Sequence, residues 1–396
     1  MDRKENNTEA MNKEEVFEIQ NWDELDLKGD LLRGIYAAGF EKPSPIQQKA
    51  IKPIVMGRDV VAQAQSGTGK TATFTIGALT HVDVKDDSTQ ILILSPTKEL
   101  TIQTAKVCEN LGSKMIGLKV QRAYGGSVED VSSFSNRNIP HIICGCPGRV
   151  YAMMRQDKIT SKKIKVVILD EADEMLSTGF KDQVYEIFQY LNNDIQVVLV
   201  SATLPEGIDS VIEKIMRKPV KICVKREMLT LEGIKQHYIA VEDDRQKYLT
   251  LKDLFAFLSI AQCIIYCNST KRVQDLYEAM KEDNFPVTRI HSNMEKPERE
   301  SAFTEFTNGK SRVLISSNVT ARGIDVQQVN IVINFDIPKD VNTYLHRIGR
   351  SGRWGRKGIG INFITRRDVA KLKEIETHYA TQITEMPSDT SFLSSL

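Results

Sequence analysis

Short runs of β-branched and aliphatic residues recur along the chain, at residues 59–62, 90–94, 141–144, 166–169 and 196–200. Each is followed by a loop rich in Gly, Pro, Ser or Thr and then by a helical stretch. After at most one polar residue at its start, each run is apolar, without the alternation of a half-solvated strand. They therefore predict a parallel sheet buried on both faces by helices. The pattern restarts at residues 263–266, 288–290, 312–315, 330–334 and 360–363. Two such blocks predict an α/β chain of two tandem domains, each a mostly parallel sheet flanked by helices. The seam is expected near residues 220–236, which are polar and include Gly233 as a pivot. The expected division is a disordered tail over 1–20, a first domain over 21–221, a linker over 222–235 and a second domain over 236–396.

Composition adds limits. A length of 396 residues suits two domains, and 41% hydrophobic with 27% charged residues suits a soluble globular chain. No apolar run reaches the length of a membrane span, so no membrane partner is expected. A net charge of +1, from 53 basic and 52 acidic residues, does not by itself point to nucleic acid. The six cysteines lack Cys-x2-Cys spacing, and Cys144, Cys146, Cys263 and Cys267 lie in or beside strand-like runs. They read as buried thiols and not as a zinc site.

Two motifs carry chemistry. Residues 64–71 read Ala-Gln-Ser-Gly-Thr-Gly-Lys-Thr between a strand and a helix. Glycines let such a loop turn its N–H groups toward phosphate oxygens, and the helix N-terminus adds its positive end. Ser66, Gly67, Thr68 and Gly69 are the candidate cradle, Lys70 reaches the β- and γ-phosphates, and the Thr71 hydroxyl ligates Mg²⁺. The generic pattern has Gly where this chain has Ala64. The second motif is an apolar strand running into Asp170-Glu171-Ala172-Asp173. It sets acids at the carboxyl edge of a sheet, where open α/β folds bind ligands. Asp170 suits Mg²⁺, partly through water, and Glu171 suits the attacking water. A glycine-rich turn or a solvated acidic turn would not need the other motif.

With Ser201-Ala202-Thr203, these residues resemble the DEAD-box family of RNA helicases, and the likeness runs from about Trp22 to about Pro387. The resemblance implies two RecA-like domains that bind ATP and RNA between them. It makes residues 39–47 an adenine-reading motif, in which Phe40 stacks on the base and Gln47 pairs with its edge. Trp22 stands where the family has an upstream Phe. Asp325 would meet the ribose. Arg350 and Arg353 would reach the γ-phosphate from the second domain, with Lys70, Thr71, Asp170 and Glu171 completing the catalytic set. Asp173, Ser201, Thr203, His346 and Arg347 would couple the domains. RNA contacts map to Pro96, Thr97, Lys98, Gly125, Gly126, Gly148, Arg149, Ser317, Thr320, Arg322 and Gly323. They would grip phosphate and sugar with little base specificity. ATP would favour a closed state and hydrolysis would release it.

Several positions depart from the family: Lys98 for Arg, Cys146 for Thr, Ser292-Asn293 for Gly-Asp, Lys296 for Gln, and Ser317-Asn318 for Thr-Asp. All are expected on or beside the RNA-facing motifs and away from the ATP chemistry. They imply a weakened or retuned RNA grip. Within the family the chain resembles the translation initiation factor 4A group. Residues 362–365 and 368–372 are most similar to its nucleolar ribosomal-RNA-processing branch, and the linker to its nuclear exon-junction branch. A monomer with protein cofactors that promote closure is expected, nuclear or nucleolar, or cytoplasmic for an initiation factor. An ATP-gated RNA clamp with slow turnover, and a DNA translocase of the same superfamily, remain open from sequence.

Overall fold

The computed structural model describes residues 18–64, 67–126, 139–177, 180–204, 208–223, 234–257, 262–318, 329–351 and 358–387. Most of the expected N-terminal tail, and the expected site residues Ser66, Thr320, Arg322, Gly323, Asp325 and Arg353, lie outside them.

The first sheet contains β1 (Val60–Gln63), β2 (Ile91–Leu94), β3 (Val120–Ala123), β4 (Ile142–Gly145), β5 (Val166–Asp170), β6 (Gln196–Ser201) and β7 (Val220–Cys223). They lie in the order β3-β4-β2-β5-β6-β1-β7. The second contains β8 (Ile234–Ala240), β9 (Gln262–Tyr266), β10 (Val287–Ile290), β11 (Val313–Ser316), β12 (Val329–Asn334), β13 (Gly358–Ile364) and β14 (Thr384–Glu385). Their order is β10-β11-β9-β12-β13-β8-β14, the same sequence of positions as in the first sheet. The strand pairs of both sheets run parallel.

Every predicted run falls on a strand. β3, β7, β8 and β14 were not predicted; β3, β7 and β14 lie at sheet edges and β8 one place in from an edge, and their residues are largely polar or half-buried. β7 runs to Cys223 and β8 begins at Ile234, so strands take up both ends of the expected linker. Residues 224–233, with Gly233, lie outside the described residues.

The all-apolar strands bury both faces, as expected. In β5, Val166 and Ile168 pack with Phe74 and Ile93 on one side. Val167 and Leu169 pack with Met175 and Leu199 on the other. Each such side chain stabilises by about 1.5–3 kcal/mol. The helices that position the site include α1 (Gly29–Ala37), α2 (Pro45–Val55), α3 (Lys70–Thr80), α4 (Lys98–Leu111), α5 (Pro147–Arg155) and α6 (Ala172–Ser177). They continue with α7 (Lys181–Gln189), α8 (Ile208–Ile215), α9 (Asp244–Phe257), α10 (Thr270–Glu282), α11 (Lys296–Thr307), α12 (Val341–Ile348) and α13 (Val369–Tyr379). α2 starts at a capping box formed by Ser44 and Gln47, with Pro45 in its first turn. It presses close on α3 because Gly77 has no Cβ; one built there would lie 2.4 Å from Ile54 Cγ2. Among the described residues no helix is long and apolar enough to cross a membrane. Cys108, Cys144, Cys263 and Cys267 are buried free thiols, and Cys146 is partly buried.

Candidate active site

β5, β6 and β1 are neighbours in the first sheet, so the three loops leaving their carboxyl ends meet. After β1 the chain turns through Gly67 (φ 83°) and Gly69 (φ 94°) into α3. Both angles are left-handed, where a Cβ brings strain. Lys70 is buried, and its Nζ donates to the Ala64 carbonyl at 2.8 Å. The ammonium is thus folded back over a loop whose N–H groups suit a phosphate.

Gln47 reaches this loop from α2. Its amide oxygen accepts Ser44 N–H at 2.7 Å, and its Nε2 donates to the Gly69 carbonyl at 3.4 Å. The Ser44 hydroxyl donates to the Thr68 carbonyl at 2.8 Å. At 2% exposure, Gln47 braces the phosphate loop here. Phe40 is partly buried against the first core. Trp22 is fully enclosed, and its Nε1 donates to the Phe40 carbonyl at 3.0 Å. A buried indole needs a partner for its N–H, and the neighbouring motif supplies it.

Asp170 closes β5, and Glu171 follows in the left-handed region at φ 51°. Asp170, Glu171 and Asp173 are all buried. Burial, with the charge of Glu171 beside it, pushes the Asp170 carboxyl up to about 7, while Lys70 opposes the shift. In unfolded chain a carboxyl ionises near its ordinary value of about 4. Between about pH 4 and 7 the folded protein therefore holds an extra proton. The stability this gives is complete below the unfolded value and is lost as pH rises through the folded one. Asp170→Asn removes that loss. In metal-free protein, the stability of the variant minus that of wild type should grow by on the order of 1 kcal/mol per pH unit from about pH 5 to 7, then level off. Thermal melts across that range measure it, and a flat difference would show an unperturbed carboxyl.

The second sheet contributes α12, capped by Asp340, which accepts Thr343 N–H at 2.7 Å. In its last turn the His346 Nε2 lies 3.1 Å from Asp173 Oδ2. The same oxygen accepts the Thr203 hydroxyl at 2.5 Å, and Ser201 Oγ accepts Asp173 N–H at 3.4 Å. One carboxylate oxygen thus joins the acidic loop, the Ser201–Thr203 turn and the second sheet. Arg350 is buried just beyond, its Nε donating to the His346 carbonyl at 3.1 Å.

Arg347 does not share this cross-sheet contact, contrary to the sequence expectation. Adjacent residues point about 100° apart on a helix, and Arg347 turns into its own sheet. There its guanidinium meets Asn268, Asn318, Asn334 and the Asp336 carbonyl. Asn318 therefore touches the helix that carries His346, so this departure does not stay clear of the ATP side. Asn268 and Asn334 had no signal in sequence; only the fold brings them to Arg347.

Glu171, Asp173 and His346 each bring a ligand atom within 4.8 Å of the others. An imidazole nitrogen suits Mg²⁺ poorly, whereas the Asp170 carboxylate and the Thr71 hydroxyl at the start of α3 are the hard oxygens it prefers.

The expected RNA residues follow the strand order. Pro96, Thr97 and Lys98 follow β2, Gly125 and Gly126 follow β3, and Gly148 and Arg149 follow β4; these strands form one side of the sheet, next to the phosphate side. Thr97 caps α4 by accepting Leu100 N–H at 3.3 Å. Cys146 Sγ lies 3.5 Å from the Thr101 hydroxyl. Lys98 sits 5.0 Å from the Tyr124 ring centroid and pairs with Glu300 on α11, a second contact between the halves. Ser317 is buried at the end of β11.

Comparison with known proteins agrees with this geometry. The DEAD/DEAH box helicase model matches residues 44–211, and the helicase conserved C-terminal domain model matches residues 246–355. Eukaryotic initiation factor 4A of Caenorhabditis elegans is 49% identical over 370 residues, 93% of this chain and 92% of that one. The ATP-dependent RNA helicase FAL1 of Mycosarcoma maydis is 50% identical over 376 residues, 94% of each. Saccharomyces cerevisiae Dbp5 bound to RNA and ADP BeF3 superposes with a TM-score of 0.89 at 34% identity, covering 95% of this chain and 99% of that one. A Dbp5 variant bound to Nup159, Gle1 and ADP gives 0.66 at 33% identity, over 92% and 96%. The likeness is greater to the RNA-bound structure than to this one. On these matches, the chain belongs to the DEAD-box family of ATP-dependent RNA helicases.

Proposed function

We propose that ATP is hydrolysed between the carboxyl edges of the two sheets, with RNA held along the adjoining edge. The observation that carries this is the Asp173 oxygen shared by Thr203 and His346, at 2.5 and 3.1 Å. It ties the second sheet to the acidic loop beside the phosphate loop. Phe40 and Gln47 lie at the adenine end. Ser66, Gly67, Thr68, Gly69 and Lys70 take the phosphates, and Asp325 the ribose. Thr71 and Asp170 would hold Mg²⁺, which when bound neutralises phosphate charge. Glu171 accepts a proton from water as its oxygen attacks the γ-phosphorus and the bond to the bridging oxygen breaks. Arg350 and Arg353 meet the charge that develops there. RNA contacts fall to Pro96, Thr97, Lys98, Gly125, Gly126, Gly148, Arg149, Ser317, Thr320, Arg322 and Gly323.

We place the joint between the domains in the segment from β7 to β8. The chain acts as a monomer on ribosomal or messenger RNA in the nucleus or nucleolus, helped by proteins that promote closure. The support is the likeness of residues 362–365 and 368–372 to the ribosomal-RNA-processing branch, with relatives named as an initiation factor and FAL1 at about half identity. Steady-state ATP hydrolysis with no nucleic acid, with single-stranded RNA and with matched DNA tests the assignment. Stimulation by RNA alone is expected. Equal stimulation by DNA would sink it, and ATP-dependent RNA binding with almost no turnover would make the protein a clamp.

A further inference from the structure

Arg347 is fully enclosed, yet its guanidinium bonds only to neutral oxygens. Nε donates to Asn318 Oδ1 at 3.0 Å, and Nη2 to Asn318 Oδ1 at 2.5 Å and Asn268 Oδ1 at 2.8 Å. Nη1 donates to Asn334 Oδ1 at 3.1 Å and the Asp336 carbonyl at 2.8 Å. These bonds use all the N–H groups that an arginine has. The plane also stacks 5.2 Å from the Tyr266 ring centroid. Among the described residues no carboxylate pairs with it, and burial pushes it down to about 10, still protonated at neutral pH.

The same helix is keyed again one turn earlier. The Tyr344 hydroxyl donates to Gln236 Oε1 at 2.8 Å and accepts Asn362 Nδ2 at 3.3 Å, while Asn334 Nδ2 donates to Asn362 Oδ1 at 2.8 Å. A connected polar chain therefore sets the rotation and height of α12, because any slip leaves buried donors unpaired. Asn318 accepts from two guanidinium nitrogens and is the exposed member of the cage, immediately after Ser317.

We propose that Asn318 is a positioning residue for ATP hydrolysis: with Asn268 and Asn334 it fixes Arg347, and through Arg347 it holds α12 so that His346 and Arg350 face the acidic loop. This rests on the assignment of Arg350 to the γ-phosphate. It also gives the RNA-side edge at Ser317 a one-residue route to the hydrolytic side.

The test is a double-mutant cycle on RNA-stimulated hydrolysis by the full chain. Asn318→Ala should lower kcat about tenfold, as expected for a modest misplacement of a catalytic group, with ADP affinity unchanged. Asn318→Asp offers the same donors a carboxylate and should keep kcat at or above the wild-type value. In an Arg350→Ala background, Asn318→Ala should cost less than about twofold. An unchanged kcat in Asn318→Ala, an equal loss in both backgrounds, or an Asp variant as impaired as the Ala variant would overturn the proposal. Normal hydrolysis by Arg350→Ala alone would overturn the Arg350 assignment and this proposal with it. Should Asn318→Ala not fold, Asn318→Ser takes its place in the cycle.

Discussion

Glu171→Gln is expected to halt turnover while leaving the ATP-loaded protein on RNA. Glu171 is 5% exposed and directly follows Asp170 at the carboxyl edge of β5. Its backbone is left-handed, φ 51°, a conformation that strains a residue other than glycine. Such strain persists where the surroundings hold it, and it clusters at functional sites. Gln keeps the size and the hydrogen bonding but cannot take a proton, so only the attack on the γ-phosphorus should suffer. General-base removal costs about 10²–10⁴-fold. Single-turnover hydrolysis and RNA retention with ATP, measured on the same preparation, check both halves. A rate within about twofold of wild type would remove Glu171 from the mechanism.

Arg350→Ala is expected to reduce kcat further still, by about 10³–10⁵-fold, the range for a guanidinium supplied to a transferring phosphoryl group. Arg350 is 3% exposed and anchored through the His346 carbonyl at 3.1 Å. The phosphate loop lies on the other half of the chain, so ADP affinity should hold. Arg350→Lys should not rescue, because an ammonium lacks the planar fork. Equal loss of ADP affinity and kcat would mean that the residue supports binding and not the chemical step.

The sequence was most legible where the physics is local. All-apolar strands ending in glycines or acids announced β1 and β5 and the chemistry at their ends, because burial on both faces forces that composition. β3, β7 and β14 were missed because edge strands tolerate polar residues, and β8, one place in from an edge, because its run Ile-Lys-Gln-His-Tyr-Ile-Ala is mixed. Side-chain direction was the harder matter. His346 and Arg347 are neighbours in one motif, yet the helix sends one across the cleft and the other into its own sheet. The cage around Arg347 draws on residues 268, 318 and 334, a juxtaposition that only strand order creates. Gln47 and Trp22 resemble parts of a base-reading motif, and the structure shows them bracing backbone.

The shared strand order of the two sheets has a consequence for how the enzyme cycles. The two halves repeat one strand order, and the segment between them turns what would be an encounter of separate subunits into a tethered one. With about ten residues joining β7 to β8, each half sees the other at an effective concentration on the order of millimolar. An interface far too weak to hold two free proteins together can then still close. Tethering therefore relaxes the demand on the contact between the halves, which can be broken and remade within one cycle without losing the partner.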